Sequence, residues 1–370
     1  MKKPELLVLI GLPASGKSVE AVRWQNEDPD GRVRVNYDDL RLGMYGEGWV
    51  WNRKDEEAMK ANARRIVTAA LRARLSVVVD NTNLSRHVRA GWQDLGRDLG
   101  ADYREYELDT PLDECIRRDR ARGPKACTCN VDDADDLMPV VRGNDGNLHS
   151  PSCPSLLPSA RVGQAVIDGM ALRYGMLDWD ACECPGQTGP EAGHRSSCPK
   201  GRPIAIVDID STLADDNGRL RHITPPPRCK CAVAGECGCP EYAANQQFRK
   251  DWGAYFAEVA NDVPILPMVR LLERLNDHLI VLISGRPVSN GATPVGILTE
   301  DWLVKHHIPF DRLFLKTRDF HQKSPDFKQS ILEYLPKDRV AYVFDDDPAC
   351  LSMYRSEGLY ALGVPGSGKR

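Results

Sequence analysis

The sequence predicts an α/β protein of two parallel-sheet, three-layer domains with small metal-bound loop insertions. Three observations lead there. Short, almost wholly apolar runs fall into two groups along the 370 residues. Each run ends in residues able to do chemistry, and cysteine clusters lie between and within the groups. Apolar runs of this length, alternating with segments of helical spacing, read as strands buried on both faces of a parallel sheet. The length suits two or three domains.

The bulk composition excludes some classes. Net charge is −4 with 28% charged residues, so no global basic field draws nucleic acid. Residues 1–126 carry 23 Lys/Arg against 21 Asp/Glu, which favours a local patch in the first part. No apolar stretch approaches the roughly 20 residues a membrane span needs. Met1-Lys2-Lys3-Pro4 runs into a strand without a cleavage-type segment, so the chain reads as cytoplasmic.

The first group opens with Leu6 to Ile10, followed by Gly11-Leu12-Pro13-Ala14-Ser15-Gly16-Lys17-Ser18. This G-x4-G-K-S pattern between a strand and a helix is a P-loop. Gly11, Ser15 and Gly16 turn backbone N–H groups toward a phosphate. Lys17 reaches the terminal phosphates of a nucleoside triphosphate, ATP or another NTP, and the Ser18 hydroxyl holds Mg²⁺. The helix, expected from about Val19, adds its dipole.

Arg32 to Asn36 reads as the next strand, leading into Tyr37-Asp38-Asp39-Leu40-Arg41. A carboxylate at a strand end beside a P-loop can take the proton of an attacking hydroxyl, which assigns Asp38 as a base. Arg41, one turn on, can contact a phosphate or a base. Capping of the following helix is the competing reading for Asp38 and Asp39. Residues 53–74 have helical spacing and no evident chemistry. Leu75 to Asp80 is a further strand, whose acidic end could assist Mg²⁺, position Arg41 or terminate the strand. Tyr103 to Leu108 is another, and a helix from Leu112 to about Arg122 carries Arg118 and Arg122 on one face. Such a basic helix can stabilise charge in phosphoryl transfer.

Ten of the twelve cysteines fall into four-ligand sets. Cys127-x-Cys129 precedes His149-x3-Cys153, Cys182-x-Cys184 precedes His194-x3-Cys198, and Cys229-x-Cys231 precedes Cys237-x-Cys239. Two Cys₃His sets and one Cys₄ set suit structural, tetrahedral Zn²⁺ with no open position. Disulfides, an iron–sulfur cluster at the Cys₄ set and pairing across clusters are the alternatives. Cys115 and Cys350 are left over as buried small residues. Between the first two sets, Ser159 to Tyr174 reads as the last helix of the first domain.

The second group opens with Pro203 to Val207, ending in Asp208-Ile209-Asp210-Ser211-Thr212. Two carboxylates so spaced can divide labour, Asp208 as nucleophile and Asp210 as general acid/base, both near Mg²⁺. Leu279 to Ile283 ends in Ser284-Gly285-Arg286, a hydroxyl and a guanidinium that can hold a phosphate. Lys328, ahead of Lys316 or Lys323, neutralises charge, and Val340 to Phe344 ends in Asp345-Asp346-Asp347, carboxylates for the metal. The tail Gly363-x4-Gly368-Lys369 has no Ser/Thr and no following helix, and is not a second P-loop.

These motifs together resemble the bacteriophage type of bifunctional polynucleotide 5′-kinase/3′-phosphatase, a P-loop kinase followed by a phosphatase of the haloacid-dehalogenase superfamily. The resemblance rests on the P-loop, Asp38-Asp39-Leu40-Arg41, Asn81-Thr82-Asn83-Leu84, Arg118-x3-Arg122-Gly123, Asp208-x-Asp210-Ser211-Thr212, Ser284-Gly285-Arg286-Pro287, Lys328 and Asp345-Asp346. It implies a kinase domain at 1–175 and a phosphatase domain at 202–370; the cysteine sets, outside the resemblance, read as a Cys/His insertion at about 127–158 in the first, a Cys/His linker at 176–201, and a Cys-rich cap insertion at about 228–240 in the second. It further implies that Asp38 is the base on a 5′-hydroxyl, that Arg41 contacts the acceptor phosphate, and that Arg122 with Arg118 clamps the donor. At the second site it implies an aspartyl-phosphate on Asp208, with Asp210 protonating the leaving 3′-oxygen. The partners implied are DNA or RNA ends and a nucleoside triphosphate, with no membrane; a homo-oligomer is allowed. The setting would be cytoplasm, the host's if the chain is phage-encoded. Two departures stand out: Ser211 replaces the family's usual glycine, and the cysteine segments have no counterpart there. A small-molecule kinase fused to a phosphatase, and a zinc-stabilised nucleic-acid-binding protein, are the competing functions.

Overall fold

A computed structural model describes residues 3–46, 49–122, 141–142, 148–149, 161–179, 201–225, 248–317 and 323–365. The chain divides into two compact units, Met1–Gly163 and Gln164–Arg370.

In the first unit, β1 (Glu5–Ile10), β2 (Arg32–Val35), β3 (Ser76–Val79) and β4 (Asp102–Glu107) form a parallel sheet in the order β2-β3-β1-β4. The register pairs Val8 with Val79 and Val35 with Val79, so the carboxyl ends of three strands finish side by side. That shared edge is where open α/β sheets place ligands. The connections are helical: α1 (Lys17–Asn26), α2 (Tyr37–Tyr45), α3 (Arg53–Arg72), α4 (Arg86–Asp98) and α5 (Leu112–Ala121). Leu6, Val8, Val77 and Val79 pack with Val67, Leu71, Trp92 and Leu95 on one face, and Leu7, Leu9 and Val78 with Ala21 and Trp24 on the other. Burial on both faces explains why β1 and β3 read as unbroken apolar runs. Helix α1 starts at Lys17, two residues earlier than expected, because Gly16 itself supplies the left-handed N-cap at φ 101°. Two short strands, β5 (Val141–Arg142) and β6 (Leu148–His149), pair antiparallel.

The second unit begins with α6 (Gln164–Arg173). This corrects the expectation that this helix closes the first domain. Its Gln164 amide donates to Glu300, its Gln164 side chain to Asp311 O (2.9 Å), and its Asp168 accepts the Leu313 amide (2.9 Å). Local spacing shows that a segment is a helix, but not which sheet it covers. After α6 come β7 (Ile204–Val207), β8 (Ala214–Asp215), α7 (Asn217–Leu220), α8 (Trp252–Ala257), β9 (Val263–Pro264), α9 (Leu266–Arg274), β10 (Leu279–Pro287), α10 (Val295–Lys305), β11 (Arg312–Lys316), α11 (Ser324–Leu332), β12 (Val340–Asp345), α12 (Pro348–Ser356) and β13 (Ala361–Gly363). The parallel sheet runs β11-β10-β7-β12-β13. Val207 lies opposite both Leu282 and Phe344, which aligns the ends of β10, β7 and β12. The two faces are filled by separate apolar clusters, one centred on Val207, Leu282 and Trp302, the other on Ile206, Val281 and Phe327. Both units are therefore the expected α/β layers around parallel sheets. Cys115 and Cys350 are buried free thiols, as expected.

The twelve ligands of the expected zinc sites, Cys127, Cys129, His149, Cys153, Cys182, Cys184, His194, Cys198, Cys229, Cys231, Cys237 and Cys239, lie outside the residues whose side chains are described, as does the end of the Gly363–Lys369 tail.

Two candidate phosphate sites

The first site is built on the turn after β1. The Gly11 amide donates to Thr82 O (3.1 Å). A Cβ on Gly11 would stand 2.7 Å from Ser15 Oγ, and its positive φ of 155° is a backbone conformation that other residues rarely adopt. Ala14 (φ 62°) and Gly16 (φ 101°) are left-handed, curling the amides into a concave nest suited to an anion. Lys17 is buried and folds over its own loop, donating to Leu12 O (2.6 Å) and Ser15 Oγ (3.3 Å). Burial, helped by nearby Arg122, lowers its pKa to about 8 against the opposing pull of Asp80, Cys115 and Asp38. Thr110, which the sequence did not single out, braces the loop by donating to Ser15 O (2.8 Å).

Arg118 reaches the same loop, its Nη1 3.5 Å from Ser15 O, while its Nε donates to Glu114. Arg122 caps α5 one turn on, 4.0 Å from the buried Asp119. The two arginines thus stand on the helix expected to clamp a donor.

At the end of β2 the structure separates two roles that the sequence left open. Asn36 caps α2, its side chain accepting from the amides of Asp38 and Asp39, so neither aspartate is the cap. Asp38 is left largely exposed, paired with Arg41 Nη1. Arg41 is held by Glu56 through two bonds of 2.9 and 2.8 Å. Asp80 does not touch Arg41; it accepts from Arg34 (2.8 Å) and Asn36 (3.1 Å). Its other oxygen, Oδ1, is buried with no hydrogen-bond partner. An orphaned carboxylate oxygen one strand from the P-loop, with Ser18 at the helix start, fits the hydrated oxygen shell that Mg²⁺ prefers. Glu56 was missed, yet it falls in step with Met59, Ala63 and Val67 on the buried stripe of α3. A carboxylate on such a stripe signals a buried cation nearby.

The second site sits where β10, β7 and β12 end together. Asp208, Lys328 and Asp345 are all buried, and Lys328 Nζ bridges Asp208 Oδ1 (2.7 Å) and Asp345 Oδ2 (2.6 Å). Burial raises the Asp208 pKa, with Asp345 and Asp210 adding to the rise and Lys328 opposing it; the carboxylates in turn hold Lys328 well above the ordinary lysine value. Oxygens of Asp208, Asp345 and Asp346 lie within 4.8 Å of one another, a donor set that fits a divalent cation. The Asp210 side chain is not in that set, which corrects its assignment as a metal ligand.

Asp210 belongs to a different network. Its carboxylate accepts from Arg286 (2.7 Å) and Arg219 (2.7 Å), and both arginines also bind Asp262. Burial works against ionisation of Asp210, but Arg286 and Arg219 together pull its pKa down to about 2. Arg286 is wholly buried and also donates to Thr299 (3.1 Å), so its guanidinium is committed to positioning Asp210 rather than aimed as a phosphate clamp. The register shift of β10 between Ser284 and Pro287 turns it there. Ser284 does line the cavity above Asp208, together with Gly285, Lys316 and Ser324. Lys316, the lesser candidate from sequence, therefore stands with Ser284 where a phosphate would be held.

Ser211 takes the left-handed conformation that glycine favours (φ 60°). Its hydroxyl donates to Asp216 (2.7 Å), which also accepts from the Tyr255 hydroxyl (2.9 Å). That bond offsets the strain. Arg219, Asp262, Asp216 and Tyr255 carried no sequence signal, since no period or motif joins positions so far apart.

Residues 6–135 match the model of a family described as an AAA domain. Over 123 residues the chain is 28% identical to the L-seryl-tRNA(Sec) kinase of Methanococcus maripaludis, covering 32% of this chain and 47% of that protein, so it spans about half the length of this curated relative. The first unit is a kinase-like P-loop domain. Among solved structures, a chain of a Pnkp1/Rnl/Hen1 complex aligns over 98% of this chain and 97% of its own at 22% identity, with a TM-score of 0.31. The APS kinase CysC of Mycobacterium tuberculosis, in complex with AMPPNP and APS, aligns over 32% of this chain and 70% of its own at 25% identity and a TM-score of 0.28. No described helix is long and apolar enough to cross a membrane.

Proposed function

We propose that the chain repairs nucleic-acid ends, phosphorylating 5′-hydroxyls from a nucleoside triphosphate and hydrolysing 3′-phosphates. The observation that carries the reading is a buried carboxylate–lysine cluster in the same chain as a P-loop: Asp208 and Asp345 share one buried lysine at the ends of adjacent strands. A kinase tied to a phosphatase is useful where one polymer presents two ends in need of opposite corrections.

At the first site the loop amides and Lys17 hold the donor phosphates, and Arg118 and Arg122 neutralise charge as the γ-phosphoryl moves. Asp38, exposed beside Arg41, takes the proton of the incoming hydroxyl. Arg41, fixed by Glu56, contacts the acceptor phosphate. Ser18 and Asp80 would hold Mg²⁺, which neutralises phosphate charge when bound.

At the second site Asp208 attacks the phosphorus, forming an aspartyl-phosphate while the bond to the 3′-oxygen breaks. Asp210 gives that oxygen a proton, then takes one from the water that hydrolyses the intermediate. Arg219 and Arg286 hold Asp210 ionised, the state the second step needs. A phosphoryl dianion arriving beside it raises its proton affinity, the state the first step needs. Asp208, Asp345 and Asp346 would hold Mg²⁺, which supplies Lewis-acid charge stabilisation. These features support reading the second unit as a haloacid-dehalogenase-type phosphatase, in the bacteriophage arrangement of kinase first and phosphatase second. In this reading Zn²⁺ at the three cysteine sets is structural.

The test is transfer of labelled phosphate from ATP to 5′-hydroxyl DNA and RNA oligonucleotides, alongside phosphate release from 3′-phosphorylated ones. Asp38→Ala should cut transfer by about 10²–10⁴-fold, the usual contribution of a positioned base, and leave release intact; Asp208→Asn should do the reverse. If neither DNA nor RNA accepts phosphate, the end-repair reading fails. If either variant, still folded, loses both activities, the two-site mechanism fails.

A further inference from the structure

The cavity above Asp208, about 310 Å³ in volume, has two unlike sides. One is polar, with Asp208, Ser284, Lys328 and the carboxylates at the end of β12. The other is apolar, formed by Leu220, Ile223, Trp252, Tyr255 and Phe256. Phosphate chemistry accounts for the first side alone.

The apolar side is a braced aromatic cluster. Trp252 and Phe256 stack with centroids 5.8 Å apart and planes 23° from parallel. Tyr255 stands edge-on to both, at 5.6 and 5.1 Å. Tyr255 is itself locked by its bond to Asp216 and by the Arg219 guanidinium 4.3 Å over its ring. Asn290 donates to the Trp252 carbonyl (2.9 Å), fixing the start of the helix. Yet the Trp252 residue remains 45% exposed. Beside it stands a cation, Lys250, with Nζ 5.8 Å from the indole centroid. A braced, partly exposed indole lining the same cavity as the Asp208 carboxylate, with an ammonium beside it, combines flat-ring stacking with backbone-phosphate attraction.

We propose that Trp252 is the stacking platform for the base of the 3′-terminal nucleotide whose phosphate lies against Asp208, and that Lys250 meets the next phosphate upstream. This rests on the phosphatase reading above. It makes base recognition independent of sequence, because every base presents a π face. The volume of the cavity is at the lower end of the roughly 300–1,000 Å³ of small-molecule sites, a size compatible with one nucleotide.

The experiment uses the full chain and three substrates: an oligonucleotide with a 3′-phosphate, the same oligonucleotide with an abasic 3′-phosphorylated terminus, and glycerol phosphate. The wild-type chain should favour the base-bearing end through KM, by about tenfold, as expected for one base stacked on an aromatic ring. Trp252→Ala should erase that preference with kcat unchanged, and Trp252→Phe should keep most of it. Lys250→Ala should raise KM for the oligonucleotide but not for a mononucleoside 3′-phosphate, which has no upstream phosphate. A preference that survives in Trp252→Ala, or an equal loss on base-bearing and abasic ends, overturns the proposal while leaving the phosphatase reading standing. A wild-type chain that hydrolyses glycerol phosphate but no 3′-phosphorylated end overturns both.

Discussion

Each candidate site is centred on a buried lysine, and the two lysines are driven in opposite directions. Lys17 donates to a carbonyl and a hydroxyl and its pKa falls to about 8. Lys328 donates to two buried carboxylates and its pKa rises. Burial lowers both, so the difference comes from the partners. A P-loop lysine faces uncharged backbone and awaits its counter-charge from a ligand, whereas the lysine of the second site has its counter-charge built into the fold. The first is a receptor for negative charge; the second balances negative charge that the protein already carries.

The largest expected effect that tests this contrast is on stability. Lys328→Met leaves Asp208 and Asp345 facing each other in the interior, and breaking a buried pair costs about 3–5 kcal/mol. The loss should be greater at pH 8 than at pH 5, because the stranded carboxylates can escape by protonation only at lower pH. Urea unfolding in EDTA measures it, and added Mg²⁺ should restore part of the loss by taking the lysine's place among the carboxylates. Lys17→Met, in contrast, should be neutral or slightly stabilising without ligand. An equal loss in both variants would remove the distinction.

The next effect is on the pH dependence of Lys17. Its folded pKa lies below the unfolded value, so the penalty for charging it in the fold is fully present below about pH 8. That penalty is relieved as pH rises toward 10.5. The stability difference between wild type and Lys17→Met should therefore shift in favour of wild type across that window. ATP affinity should move the other way, weakening above about pH 8 as the ammonium is lost. Calorimetry in buffers of different ionisation enthalpy would show proton uptake on binding; uptake that persists in Lys17→Met would assign the proton elsewhere.

The smallest expected effect concerns Ser211. Replacing it with glycine relieves left-handed strain of about 1–3 kcal/mol but removes a bond to Asp216 worth about 1 kcal/mol. The net change should be a gain of no more than about 2 kcal/mol, read as a small rise in melting temperature. A clear loss of stability would show that the Ser211–Asp216–Tyr255 chain matters more than the backbone strain.

What could be read from sequence follows a physical boundary. Leu6–Ile10 and Ile204–Val207 announce themselves because strands buried on both faces need unbroken apolar residues, and the residues just beyond their ends are placed by the chain itself. Asp38, Asp208, Ser284 and Asp345 were singled out that way, and the structure puts each at or near the end of a strand. Lys328 sits on a helix and not at a strand end, and spacing alone left Lys316 and Lys323 as alternatives to it. Glu56, Arg219 and Asp262 were missed because their importance arises only when distant elements meet, and a charged residue on a helix usually faces water. Arg286 was located correctly but aimed wrongly, since a motif fixes position along the chain and not the direction in which a bulged strand turns a side chain.

The placement of α6 changes how this molecule can be divided. Asp168 and Gln164 satisfy backbone groups of β11 and its approach, and Ile167 and Ala171 are fully buried. A fragment beginning at Pro203, where the second set of motifs starts, would strip that helix from the sheet and leave the Leu313 amide without its acceptor. Separating the two units for study therefore calls for a cut ahead of Gln164. Both ends of the chain between α6 and β7 then belong to the second unit, so a cut there divides one unit rather than two.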